Sequence, residues 1–138
     1  MSPEAPYPMP TAPVTEIIVC TTCRPAGASR ELPPSGQALL EAVQALQTEG
    51  RAAGLHVRGI ACMSGCARSC TVALQAPGKP TYYFGDLAAD AETAAQVLAC
   101  ARLHAHSADG ALPRNERPER LRSGILAKLP PCLPAVMA

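Results

Sequence analysis

Two β-branched apolar runs each close on a pair of cysteines, with one amphipathic segment between them, and no other feature of the chain constrains its fold as strongly. Thr15 to Thr21 (TEIIVCT) reads as a buried strand that delivers Cys20 and Cys23. Leu55 to Cys62 (LHVRGIAC) reads as a second strand, delivering Cys62 and Cys66. Between them, after a proline-rich loop from Arg24 to Pro34, Ser35 stands where a helix cap belongs. Leu39, Leu40, Val43 and Leu46 then repeat at helical spacing until Gly50 and Gly54. A strand-helix-strand unit is nearly always right-handed with its strands parallel, so both carboxyl ends are expected at the same edge of a sheet. Neighbouring strands lie roughly 5 Å apart, close enough for short loops to gather four sulfurs.

The rest of the chain continues the pattern. Met63 to Ser69 is a short polar loop; Thr71 to Ala76 and Pro80 to Phe84 flank the turn residues Pro77-Gly78-Lys79 and predict a hairpin. Ala91, Ala94, Ala95, Leu98 and Ala101 predict a helix from about 88 to 106, capped by Asp86 or Asp90. Pro118, followed by Leu121, Ile125 and Leu129, predicts one short final helix. The fold class expected is α/β: a βαβββα core with a mixed sheet and a short C-terminal helical extension. Residues 1–13 are expected to be a disordered Pro-rich N-terminus, 14–106 the core domain, and 107–138 the C-terminal extension.

Composition removes several classes of function. The 138 residues carry 12 Lys+Arg against 11 Asp+Glu, a formal charge of +1, which offers no electrostatic footprint for nucleic acid and no polybasic patch for a membrane. Three tyrosines and one phenylalanine are too few for a base-stacking platform. No secretion signal is read at the N-terminus, and no stretch approaches the roughly 20 apolar residues of a membrane span. A cytoplasmic location is the expectation. In a reducing compartment seven cysteines, an odd number, point to metal ligation or redox chemistry rather than structural disulfides.

A [2Fe–2S] rhomb asks for two thiolates on each of two irons, and a structural zinc for four on one ion. Both assign the same donors: Cys20, Cys23, Cys62 and Cys66. A third reading makes Cys20-Thr-Thr-Cys23 the dithiol of a thiol-disulfide oxidoreductase. Against it stands the helix, which begins about a dozen residues later, whereas a reactive thiolate normally sits at a helix amino terminus. Cys70 continues the spacing after Cys66 and is read as a small buried residue beneath the cluster, with a ligand or reserve ligand as the alternatives; Cys100 is read as core, and Cys132 is unassigned. His104 and His106, two apart, do not share a helix face, and a cation at a helix carboxyl end accounts for them. Arg114 to Arg122 reads as a solvated helix face. Tyr82, Tyr83 and Phe84 read as strand packing, with one ring placed to shield the cluster.

These residues carry a resemblance. Cys20-Thr-Thr-Cys23-Arg24, the C-x3-C-x3-C-T-V-A-L run from Cys62 to Leu74, Pro77-Gly78-Lys79, Y-x-F-G-D-L from Tyr82 and the terminal R-P-E-R-L-R-x-G-I-L-A-K-L-P-P resemble a bacterial family of small predicted metal-binding proteins. More distantly, a strand-terminal cysteine followed by C-M-x-x-C, a short strand and a Pro-Gly turn is similar to thioredoxin-like [2Fe–2S] ferredoxins. That resemblance implies a thioredoxin-like fold, a [2Fe–2S] cluster held by Cys20, Cys23, Cys62 and Cys66, and exchange of single electrons with a redox partner protein. In those ferredoxins a long loop separates the first two ligands, whereas here they are three residues apart. Members of the small family are linked to cobalamin synthesis and cobalt chelation, which implies delivery of electrons or metal there. A homodimer through an exposed sheet edge is a further expectation.

Overall fold

The structure, a computed structural model, describes residues 15–25, 27–50 and 54–132. The N-terminal stretch 1–13 lies outside the described residues. Five strands and two helices follow in chain order: β1 (Thr15–Cys20), α1 (Ser35–Thr48), β2 (Leu55–Ile60), β3 (Val72–Gln75), β4 (Thr81–Phe84), α2 (Ala91–His106) and β5 (Ile125–Leu129). The sheet is mixed, in the order β2-β1-β3-β4-β5. β1 and β2 are parallel, and β3, β4 and β5 join antiparallel to their neighbours. The order strand, helix, strand, strand, strand, helix is thus observed.

Both helices pack against β1, β2 and each other, on the same face of the sheet. Alternation along the strands sends Ile17, Val19, Val72, Leu74, Tyr82 and Phe84 into that interface, where they meet Leu39, Val43, Val97 and Leu98. Each such side chain contributes about 1.5–3 kcal/mol of burial. The other face carries Glu16, His56, Arg58 and Gln75, tied into one polar group around the Glu16 carboxylate. Arg58 leads the interactions that hold that carboxyl below its usual range.

Two local expectations are corrected, and the cap of α2 proves to be one of its two candidates. Ser35 is the first residue of α1 and does not cap it; the preceding residue, Pro34, occupies the cap without a side-chain bond. α2 is capped by Asp90, whose carboxylate accepts the Thr93 N–H at 2.8 Å, while Asp86 pairs with Arg68 instead. The C-terminal helical extension is not formed. Arg114–Glu116 and Glu119–Leu121 are single 3-10 turns, and Ile125–Leu129, which carries two of the three residues spaced as a helix face, is a strand. The reason is tertiary: β4 has a free edge, and β5 supplies the backbone partners it lacks. Gly124 permits the approach, because a Cβ there would lie 2.5 Å from the Gly85 carbonyl, and Gly85 N–H donates to Gly124 O at 2.7 Å. In the same segment Arg117 is buried and donates to Arg122 O, so this stretch is not a solvated helix face.

At the start of β1 the chain is closed by a polar network. His104 is fully buried; its Nδ1 lies 2.8 Å from Thr15 Oγ1 and its Nε2 lies 2.8 Å from Pro80 O. Burial lowers its pKa, so the neutral ring donates from Nε2 to the carbonyl and accepts the Thr15 hydroxyl at Nδ1. It is therefore a core residue and not a terminal cation. The charge at that helix end comes from Lys79, whose Nζ donates to His104 O at 2.9 Å and Ala105 O at 2.7 Å.

Candidate thiol site

The parallel register sets Cys20 opposite Ile60, bringing the carboxyl ends of β1 and β2 to one edge. The segments beyond them are laced together: Thr21 N–H donates to Ile60 O at 2.9 Å, and the Thr22 hydroxyl donates to Ala61 O. β3 fixes the other flank, where Cys20 N–H donates to Thr71 O at 3.2 Å.

α1 also reaches this edge. Gly36 N–H donates to Cys23 O at 3.0 Å, and a Cβ on Gly36 would lie 1.9 Å from Cys20 O, an approach only glycine allows. The loop after Cys23 folds back so that the helix amino terminus abuts the Cys20–Cys23 backbone, with Arg24 bonding Ser29 O and Leu32 O inside that loop. Distance in sequence between the pair and the helix therefore does not keep the helix terminus away from the pair.

Cys20 and Cys23 are 1% and 2% exposed, and Cys70 is 1% exposed. Burial would raise the Cys20 thiol, but the Cys23 thiol and the backbone N–H groups of Met63 and Thr22 donate to it and hold it below the ordinary range. Burial, and its role as donor to Cys20, push Cys23 up, against hydroxyl bonds from Thr71 and Ser69. Cys70 is pushed up to about 11 by burial and then by the charges of Cys23 and Cys20. Of the three buried thiols at the interior end, Cys20 alone is shifted downward.

Cys62 and Cys66 are both exposed. They ride on the loop between β2 and β3, where Cys62 Sγ accepts the Ser64 N–H at 3.3 Å and Cys66 opens a single 3-10 turn. The Tyr83 hydroxyl donates to Met63 O at 2.9 Å, and reciprocal bonds between Cys70 and Leu87 at 3.0 and 3.1 Å anchor the loop's far end. Burial raises the Tyr83 phenol, a Thr71 bond opposes this, and the charges of Cys23, Cys20 and Cys62 add to the rise. Among the described residues no three His, Cys, Asp or Glu side chains converge as a preformed metal group.

All the described cysteines are free thiols. Cys100 lies in the core on α2, pushed up to about 12 by burial, and Cys132 is exposed. Cys70 is buried, as its place in the C-x3-C-x3-C run led one to expect, whereas the parts played by Thr71 and Ser69 and the bond from Tyr83 to the loop are not legible in the sequence.

A mixed five-stranded α/β sheet with a cysteine-rich rim defines the class of this molecule. The chain belongs to the family described as "Protein of unknown function (DUF1636)", which it matches over residues 17–131. No curated protein and no solved structure matches it. No helix among the described residues is long and apolar enough to cross a membrane.

Proposed function

We propose that the protein is a one-electron carrier that holds a single [2Fe–2S] cluster through Cys20, Cys23, Cys62 and Cys66 and exchanges electrons with a redox partner protein. The observation that carries this reading is the parallel β1–β2 register, which delivers two cysteine pairs to one edge. The donors suit such a group: four free thiols, with the backbone N–H of Ser64 on Cys62. N–H to sulfur bonds of this kind stabilise thiolate and raise a cluster's potential. The β2-β1-β3-β4 order, with β3 antiparallel to β1, supports a thioredoxin-like core.

The cluster, when bound, would take up and release one electron between its diferric and mixed-valence states. The chain's own part is to hold the inner pair on a strand end braced by α1, to keep water from it, and to complete the donor set from an exposed loop. No substrate chemistry is required of any residue, and no enzyme activity is assigned.

A thiol-disulfide oxidoreductase is the second reading, favoured by the helix terminus at the pair and by the opposite shifts of Cys20 and Cys23. Burial of both sulfurs weighs against it, since a disulfide substrate must reach the attacking sulfur. A zinc or cobalt carrier serving cobalt metabolism would use the same four donors.

Anaerobic purification with iron and sulfide analysis separates the three. The expected protein is red-brown, holds iron and sulfide in equal amounts, and gives an EPR signal on one-electron reduction. Colourless protein with stoichiometric zinc or exchangeable cobalt and no sulfide overturns it in favour of the carrier. Metal-free protein with a reversible Cys20–Cys23 disulfide and insulin-reducing activity would establish the oxidoreductase instead.

A further inference from the structure

We infer that Tyr83 is a positioning residue whose hydroxyl, with Gly65 packed upon it, seats the Cys62–Cys66 loop on the sheet beside the inner cysteines. Its relevance to ligation rests on reading this edge as a metal-ligand site; the seating itself does not.

The Tyr83 hydroxyl holds the outer loop directly: it donates to Met63 O at 2.9 Å, one residue after Cys62. The same stretch of loop lies against Thr71, whose Oγ1 is 3.6 Å from Cys23 Sγ. A displacement of the phenol is thereby felt at the front of the outer loop.

Gly65 supplies the matching surface. A Cβ at this position would lie 2.3 Å from the Tyr83 hydroxyl and 2.7 Å from Thr71 Cγ2, so the loop descends this far only because residue 65 lacks a side chain. The loop is independently braced behind Cys66, where Arg68 pairs with Asp86 and Cys70 with Leu87. Tyr83 is thus the anchor of its front half, which carries Cys62. Neighbouring Tyr82 points to the opposite, helix-covered face, where its hydroxyl accepts Leu112 N–H. The two adjacent tyrosines therefore do different work.

Hydrogen-deuterium exchange on the metal-free, reduced full chain tests the seating directly. Tyr83→Phe keeps the ring and removes one hydrogen bond; amides of residues 61–69 should exchange about five- to tenfold faster, with those of α2 unchanged. Gly65→Ala should loosen the same segment further, and the double variant Y83F/G65A should be partly rescued, because removing the hydroxyl relieves the closest contact. Unchanged exchange in Y83F, additive effects in the double variant, or equal acceleration across α2 would each overturn the inference. Cobalt(II) alone is then titrated into each variant while thiolate-to-cobalt absorption is followed. A band present in the wild type, weakened in G65A and restored in the double variant supports positioning of the donors. A band unchanged in G65A contradicts it. No band in any protein, alongside the expected exchange pattern, leaves the seating of the loop standing and removes the metal-ligand reading.

Discussion

The two ends of the sheet treat their buried polar groups in opposite ways. At the start of β1, every such group has a strong partner. His104 uses both ring nitrogens at 2.8 Å, Lys79 closes two helix carbonyls, and the Tyr82 hydroxyl takes the Leu112 N–H at 3.0 Å. At the end of β1, three buried thiols have only weak, long side-chain contacts, such as 3.8 Å from Cys20 to Thr22 and 3.6 Å from Cys23 to Thr71. Polar capacity at the first end is used up in holding the fold. At the second the buried sulfurs keep only such long contacts, and soft donors held loosely near one edge are what a thiophilic ligand requires.

The largest effect that would test this contrast comes from the closed end. His104→Ala removes a fully buried ring and strands the Thr15 hydroxyl and the Pro80 carbonyl. Loss of packing and of two hydrogen bonds should destabilise the protein by about 3 kcal/mol in urea unfolding. A loss under about 1 kcal/mol would show that this network is dispensable and would break the comparison.

The same residue predicts a pH dependence of smaller size. Burial depresses the folded-state pKa of His104, with Lys79 adding to the depression, so the folded protein resists a proton that the unfolded chain accepts near the ordinary value of 6.5. Its stabilising contribution is complete above that value and is lost as pH falls below it, by at most about 1.4 kcal/mol per pH unit until the folded pKa is reached. The carboxyls of Glu16 and Asp90 are shifted the same way but titrate lower, from ordinary values of 4.5 and 3.8. Unfolding curves at pH 7.5 and 5.5 should therefore differ in the wild type and coincide in His104→Asn. Equal pH sensitivity in both proteins would place the titrating group elsewhere.

How much of this could be read beforehand follows the range of the interactions. β1, α1, β2 and the Pro77-Gly78-Lys79 hairpin were legible because their apolar periods and turn residues are local, and the parallel register of Cys20 with Ile60 follows from the handedness of the connection. β5 was not legible: Leu121, Ile125 and Leu129 have helical spacing, and the need of β4 for a partner is invisible in that window. His104 was read as a terminal cation because Thr15, its partner, lies 89 residues away. The helix terminus at Cys20–Cys23 was missed for a related reason, since the Gly36 contact depends on how the intervening loop folds back. At the site, the arrival of the carboxyl ends of β1 and β2 at one edge was expected from topology, whereas the split of the cysteines into a buried and an exposed half was not.

That split gives the smallest stability effect and the sharpest test. In metal-free protein, Cys70→Ser places a more polar hydroxyl in a buried position that offers few partners and should cost about 1–2 kcal/mol. Cys66→Ser, on an exposed turn, should change stability by less than about 0.5 kcal/mol. Loading with the proposed cluster should invert the ranking. Ligand-binding free energy is coupled to folding, so Cys66→Ser forfeits the stabilisation that the group confers, while Cys70→Ser retains it with an altered potential. Paired thermal melts of metal-free and reconstituted protein read both orders in one experiment. If Cys70→Ser abolishes loading while Cys66→Ser does not, the donor set shifts inward, and Cys70 replaces an exposed cysteine among the ligands.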